Sequence, residues 1–253
     1  MNSKKIVFLN QKGGVGKTAS AVNIGSELAS MDYKVLLVDL DSQGNLSLSI
    51  SVDSGKPGIY EVMAGTADKS CVQTTPIKNL YCLSGGINMA GAEMELASVP
   101  KREFFLKNAL KPFDSDYDYI LLDCPPALGL VTLNALTYTD YVIIPMQCEF
   151  LAMEGLSLLS RTINSVKKSL NPDLKVLGIV FTMFSKRNRL NAQVIEDVSS
   201  YFKNEVFKTV IPRSVRLAEA PSHGLPINAY ASSSTGSKAY SELTKEVLER
   251  VGE

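Results

Sequence analysis

The chain has 253 residues, enough for one large α/β domain rather than two. It carries 26 basic and 26 acidic side chains, a formal net charge of zero, so any nucleic-acid binding must come from a local patch. No apolar run approaches the ~20 residues needed to span a bilayer, and the Met-Asn-Ser-Lys-Lys start lacks the apolar core of a signal peptide.

The first predicted element is a strand over 5–10, with Ile6-Val7-Phe8-Leu9 at its centre. It runs into Asn10-Gln11-Lys12-Gly13-Gly14-Val15-Gly16-Lys17-Thr18, and a helix is predicted to follow over 18–31. Gly13, Gly14 and Gly16 let the backbone approach an anion, while successive N–H groups and the helix N-terminus supply a positive nest. Lys17 is expected near the β- and γ-phosphates of a nucleotide, and Thr18 offers a hydroxyl to Mg²⁺. The usual spacing wants a glycine five residues before Gly16, where this chain has Gln11, with a second lysine, Lys12, beside it.

Further strands are predicted at 34–40, 79–83, 118–123, 141–146, 175–182 and 206–211. Helices are predicted near 101–111, 128–138, 152–170, 189–203 and 236–251. The strands are mostly continuous apolar runs, as expected when both faces are covered, so the fold class is α/β: a mostly parallel twisted sheet with helices on both faces. Ligands in such sheets sit at the carboxyl ends of the strands, where the glycine loop lies.

Two of those strands end in aspartate. Val35-Leu36-Leu37-Val38-Asp39-Leu40-Asp41 precedes Ser42-Gln43-Gly44-Asn45, and Tyr119-Ile120-Leu121-Leu122-Asp123 precedes Cys124-Pro125-Pro126. Asp123 is placed to hold Mg²⁺ or its waters. Asp39 and Asp41 share parity, which predicts both side chains on one face, one of them polarising the attacking water. Cys71, Cys82, Cys124 and Cys148 form no Cys-x-x-Cys pair, which argues against a metal or disulfide framework and for a reducing compartment. His223 is the only histidine and sits in a Ser-His-Gly loop, which disfavours Ser-His-Asp chemistry.

These blocks together resemble the deviant phosphate-loop ATPases of the ParA/MinD class, a SIMIBI-type branch of the phosphate-loop NTPases. Ile211-Pro212-Arg213, the stretch Arg216-Leu217-Ala218-Glu219-Ala220-Pro221 and Gly224-Leu225-Pro226-Ile227 point to its ParA/Soj partition branch. The likeness runs over essentially the whole chain, 1–253. It implies an ATPase that uses ATP and Mg²⁺, with Lys12, Lys17 and Asp41 catalytic and residues Lys12 to Ala19, with Pro212 against the adenine, holding nucleotide. In that family Lys12 would reach across a nucleotide-sandwich homodimer to the partner's ATP, Asp41 would position the hydrolytic water, and Thr18, Asp123 and Asp41 would serve the metal.

The resemblance further implies non-specific binding of double-stranded DNA by the ATP-bound dimer, a ParB-like adaptor that stimulates hydrolysis, and a cytoplasmic, nucleoid-associated protein. Lys186, Arg187, Arg189 and Arg216 are the basic residues expected to meet DNA, with Arg213 ranked below Arg216 because it is also placed to serve the nucleotide pocket. A MinD-like membrane ATPase is the rival, and it calls for a basic amphipathic C-terminal helix. Here the last helix sets Tyr240, Leu243, Val247, Leu248 and Val251 against Glu242, Glu246, Glu249 and Glu253, a pattern expected to pack on the protein rather than on lipid. An iron–sulfur electron-transfer ATPase is disfavoured by the cysteine positions. Two departures stand out: Ala19 and Ser42 replace a common threonine and proline. Loss of the Ala19 hydroxyl contact is expected to cost ~1 kcal/mol of nucleotide binding.

Overall fold

A computed structural model describes residues 3–149, 152–185 and 187–252. In chain order the elements are β1 (Lys4–Phe8), α1 (Lys17–Ser30), β2 (Val35–Asp39), α2 (Asn45–Ser49), α3 (Ile59–Met63), β3 (Gln73–Thr74), β4 (Leu80–Leu83), α4 (Met89–Leu96) and α5 (Phe105–Leu110). They continue with β5 (Tyr119–Asp123), α6 (Leu130–Tyr138), β6 (Tyr141–Gln147), α7 (Ala152–Ser169), β7 (Lys175–Thr182), α8 (Arg189–Phe202), α9 (Val215–Glu219), α10 (Ile227–Tyr230) and α11 (Thr235–Val251). The strands form a seven-stranded sheet ordered β3-β4-β2-β5-β1-β6-β7. Its pairs are parallel apart from the antiparallel β3–β4 edge.

Side-chain alternation along β1 divides the interior in two. Ile6 and Phe8 join a cluster with Ile24 and Leu28 of α1 and Tyr240, Leu243 and Val247 of α11. Val7 and Leu9 face the other way, into a cluster with Ala135 of α6, Leu159 and Ile163 of α7 and Val198 of α8. With helices on both faces, every residue of β2 and β5 is buried, which explains their uninterrupted apolar runs. The apolar stripe of α11 is spent on this packing: Leu243 and Val247 have no exposed surface. No helix among the described residues is long and apolar enough to cross a membrane.

The predicted strand at 206–211 is not a sheet strand. That segment runs beside β7 and touches it at isolated points: the Phe207 N–H donates to the Ile179 carbonyl and the Ile211 N–H to that of Phe181. Between them the N–H groups of Lys208 and Thr209 donate to the Glu246 carboxylate of α11, at 2.9 and 3.1 Å. A side chain has taken the donors that a regular ladder would need. The short helices α2, α3, α4, α9 and α10 went unpredicted, because four to eight residues give too little periodicity to read.

Candidate functional site: a phosphate cradle at the strand ends

Register brings the chemistry together. Phe8 pairs with Asp123 and Asp39 pairs with Asp123, so β1, β2 and β5 end at one level of the sheet. The glycine loop leaves β1 there, with Gly14 at φ 71° and Gly16 at φ 90°, left-handed conformations that favour glycine. Gly16 caps α1 and brings no side-chain acceptor to the first turn. The first-turn N–H groups are thus left for an anion, and the helix dipole adds to their field.

A cleft of ≈ 670 Å³ opens over this turn, walled by the loop glycines, Lys17, Thr18, Ala19, Asp41 and Pro126 on one side. Its apolar wall is Met183, Leu217, Pro221 and Leu225. Lys17 is buried, and its ammonium donates to the Lys12 carbonyl at 3.1 Å. Burial lowers its pKa, against the opposing pull of Asp123, Cys124 and Asp41.

The Thr18 hydroxyl donates to Oδ2 of Asp123 at 2.6 Å, while Oδ1 of Asp123 is buried with no hydrogen-bond partner among the described residues. Burial, and then the neighbouring charge of Asp39, push the Asp123 pKa up to about 8. Asp123 lies behind the cleft lining, and its orphaned carboxylate oxygen next to the cleft-lining Thr18 hydroxyl is a hard-oxygen donor set that suits Mg²⁺. That ion keeps most of its waters and takes few protein ligands. Among the described residues no group of three His, Cys, Asp or Glu side chains gathers round a point, so a closed all-protein metal cage is not what this site offers.

The two aspartates around β2 share a face, as parity predicts: Val38 and Leu40 turn into the cluster of α6 and α7, while Asp39 and Asp41 turn to the side of α1 and α2, where their surroundings differ. Asp39 is fully buried and accepts from the Ser47 N–H and hydroxyl at 3.0 and 2.7 Å, which ties β2 to α2. Burial raises its pKa as well. Asp41 alone reaches the cleft, where its Oδ1 accepts from the Gln43 N–H at 3.0 Å.

Lys12 stands apart from Lys17. Its side chain is 58% exposed and its ammonium is ion-paired with Glu149. Pro212 lies in a parallel bridge to Phe184 and is not among the cleft-lining residues, whereas Met183, which sequence reading overlooked, is. Arg187 and Arg189 are exposed at the start of α8, which Asn188 caps by accepting from the Leu190 N–H. Lys186 lies outside the described residues. Arg216 is exposed and paired with Glu219 at 2.9 Å, on a separate segment from Arg187. The signal for the missed residues was present in part: Gln147 and Thr182 are polar residues that end apolar strands at the ligand-binding edge of the sheet.

A parallel sheet whose first strand feeds a glycine loop, a Lys-Thr helix start and a neighbouring strand-end aspartate defines a phosphate-loop nucleotide hydrolase. Comparison with known proteins agrees. Residues 3–176 match the AAA domain family. The chain is 46% identical to the chromosome-partitioning ATPase Soj of Treponema pallidum over 99% of both chains. It is 48% identical to the sporulation initiation inhibitor protein Soj of Bacillus subtilis, over 96% of this chain and 98% of that one. A crystal structure of cobyrinic acid a,c-diamide synthase from Mycobacterium smegmatis with bound ADP and magnesium superposes with a TM-score of 0.86 at 36% identity, covering 98% of this chain and 95% of the other. The chain belongs to the Soj/ParA family of chromosome-partitioning ATPases.

Proposed function

We propose that this protein is a Mg²⁺-dependent ATPase in which ATP acts both as substrate and as the switch for assembly into a DNA-binding dimer. The observation that carries this reading is the placement of the two loop lysines. Lys17 is buried in the cradle, while Lys12 is exposed and, among the described residues, its ammonium is held by a surface ion pair with Glu149, which is worth little. A lysine so placed serves its own nucleotide poorly and is free to reach a second copy's. There it would stabilise charge on the transferred phosphoryl group, as an arginine finger does.

In this mechanism Gly13 to Gly16 and Ala19 offer backbone donors to the phosphates, and Lys17 supplies the charge. Met183 and Leu225 offer apolar surface to the base, with Pro212 nearby through its bridge to Phe184. Thr18 and Asp123 would hold magnesium, which when bound neutralises phosphate charge. Asp41, the carboxylate at the cleft rim, orients the attacking water.

The ATP dimer then presents Arg187, Arg189 and Arg216, with Lys186, to duplex DNA without reading sequence, and a ParB-like adaptor stimulates hydrolysis and release. The names of the Soj relatives, each a chromosome-partitioning or sporulation protein, support partition as the setting. The deciding experiment measures dimer state by light scattering and binding to unrelated duplexes, with ATP, ADP and no nucleotide. Dimerisation and DNA binding with ATP alone is the expected result. Equal DNA binding in all three states would overturn the switch.

A further inference from the structure

The neighbouring strands hold the phosphate loop from outside, beside its internal Lys17–Lys12 and Lys12–Asn10 contacts. Gln147 and Thr182 are partners in the β6–β7 register, the last pair of that ladder, and both side chains turn toward the loop. Gln147 donates through Nε2 to the Gly14 carbonyl at 2.7 Å, and the same nitrogen lies 3.0 Å from the Met183 sulfur. The Thr182 hydroxyl lies 2.7 Å from the Val15 carbonyl and 3.2 Å from that of Met146. A hydroxyl has one proton, and the shorter approach is to the loop. Thr182 also walls the turn itself: a Cβ built on Gly16 would lie 3.4 Å from its methyl carbon.

These two contacts fix the direction of two peptide planes. In a trans peptide the C=O of one residue and the N–H of the next point in opposite directions. Pinning the Gly14 carbonyl toward Gln147 turns the Val15 N–H the other way, and pinning the Val15 carbonyl toward Thr182 does the same for the Gly16 N–H. Gly14 needs such a restraint more than most residues, since it is exposed, at positive φ, and has nothing within 4 Å of the place a Cβ would occupy. A third contact anchors the front of the loop, where Asn10 donates to the Pro145 carbonyl at 2.8 Å and accepts from the Lys12 N–H at 3.0 Å. All three anchors come from β6 and β7, on the side of β1 away from β5, so they are independent of the Thr18–Asp123 contact.

We propose that Gln147 and Thr182 are positioning residues for nucleotide: they hold the Gly14 and Val15 carbonyls away from the cradle, so that the N–H groups of Val15 and Gly16 are already aimed at phosphate before it arrives. Preorganised donors need no reorganisation on binding, and their alignment depends on this supporting shell. The inference rests on reading residues 12–18 as the phosphate cradle.

The test compares Q147M, T182V and T182S with the unaltered protein and with K17A. Readouts are MgADP affinity by titration calorimetry and the ³¹P resonance of the bound β-phosphate. Each lost hydrogen bond is expected to weaken MgADP about fivefold. The β-phosphate resonance is expected to move in Q147M and T182V, because a purely structural role would leave it in place. T182S keeps the hydroxyl and is expected to restore both values. Gln147 is half-buried, so Q147M carries the test even if T182V fails to fold. Unaltered affinity and resonance in Q147M, or equal weakening in T182S and T182V, would overturn the proposal. If K17A binds MgADP normally, the cradle reading itself is wrong; if K17A loses binding while Q147M does not, only the positioning role falls.

Discussion

Thr18 and Asp123, 105 residues apart in the chain, meet through a 2.6 Å hydrogen bond that leaves the second carboxylate oxygen of Asp123 buried and unpartnered among the described residues. A charge held in this way opposes folding and favours a cation. Asp123→Asn is therefore expected to act in opposite directions on two measurements. Without magnesium its melting temperature should rise, because an amide neither buries a charge nor has to take up a proton on folding. Magnesium-dependent ATP turnover should fall at least ~100-fold, the order seen when one preorganised electrostatic contact is removed. A lower melting temperature would show that the Asp123 carboxylate stabilises the metal-free fold.

The same pair sets a pH dependence. In the metal-free protein the Asp123 pKa stands at about 8, raised from 3.8 by burial and then by Asp39. Between those values the folded state binds a proton that the unfolded state has released. The stabilisation is complete below the lower value and is lost as pH rises through the upper one. Chelator-treated protein should thus lose stability from roughly pH 4 to 8 in denaturant titrations, and Asp123→Asn should flatten that slope.

Lys12 and Lys17 lie five residues apart and should fail in different ways. Lys17 is buried in the cleft, so Lys17→Ala removes a charge-assisted contact worth about 1.5–3 kcal/mol, roughly 10- to 150-fold in MgADP affinity of the monomer. Lys12 lies outside that cleft, paired with Glu149. Lys12→Ala should leave monomer binding of MgADP within about twofold and abolish ATP-dependent dimerisation by light scattering. If Lys12→Ala still dimerises with ATP and turns it over normally, the trans role is wrong.

Much of this was legible in the sequence, for physical reasons that differ by element. The loop, Lys17 and the strand ending at Asp123 could be read because local spacing and a doubly buried strand each leave a pattern in consecutive residues. That Asp41 and not Asp39 would line the cleft could not, because Asp39 is taken up by the Ser47 N–H and hydroxyl of α2, a contact that strand parity does not reveal. Gln147 and Thr182 were invisible for a different reason. Their partners, Gly14 and Val15, lie 133 and 167 residues away, and only the sheet order β1-β6-β7 brings them together. The strand predicted at 206–211 was lost to one carboxylate on a helix 37 residues further on.

Arg187 and Arg189 are exposed at the start of α8. If each neutralises one phosphate, replacing both by alanine removes four contacts from the dimer and should reduce the slope of log affinity against log salt by about 3.6, since each contact contributes roughly 0.9. Filter binding of the ATP-loaded dimer to unrelated duplexes from low to moderate salt measures this directly. Arg216 already has a carboxylate partner in Glu219, whose negative charge offsets part of its pull on a phosphate. Its replacement is expected to change the slope by less than that of Arg189, and an unchanged slope in the double variant would remove α8 from the interface.

Glu246 controls how the segment after α8 meets the sheet. It accepts the Lys208 and Thr209 N–H groups and pairs with Arg250 at 3.0 Å, and Arg250 itself donates to the carbonyls of Leu177 and Val206. Burial raises the Glu246 pKa, but these donors outweigh it and the net direction is down. Its contribution is therefore present above the unfolded carboxylate value and lost as pH falls through the lower folded one. Glu246→Ala should cost about 1–3 kcal/mol, toward the low end because the Lys208 contact is exposed. For a chain of this length that is about 2–4 °C in Tm for each kcal/mol. Hydrogen exchange should speed up at Lys208 and Thr209 and, through the loosened Arg250, along 204–211, while the β1–β5 amides stay protected. Uniform loss of protection across the sheet would show that Glu246 supports the whole fold rather than this edge.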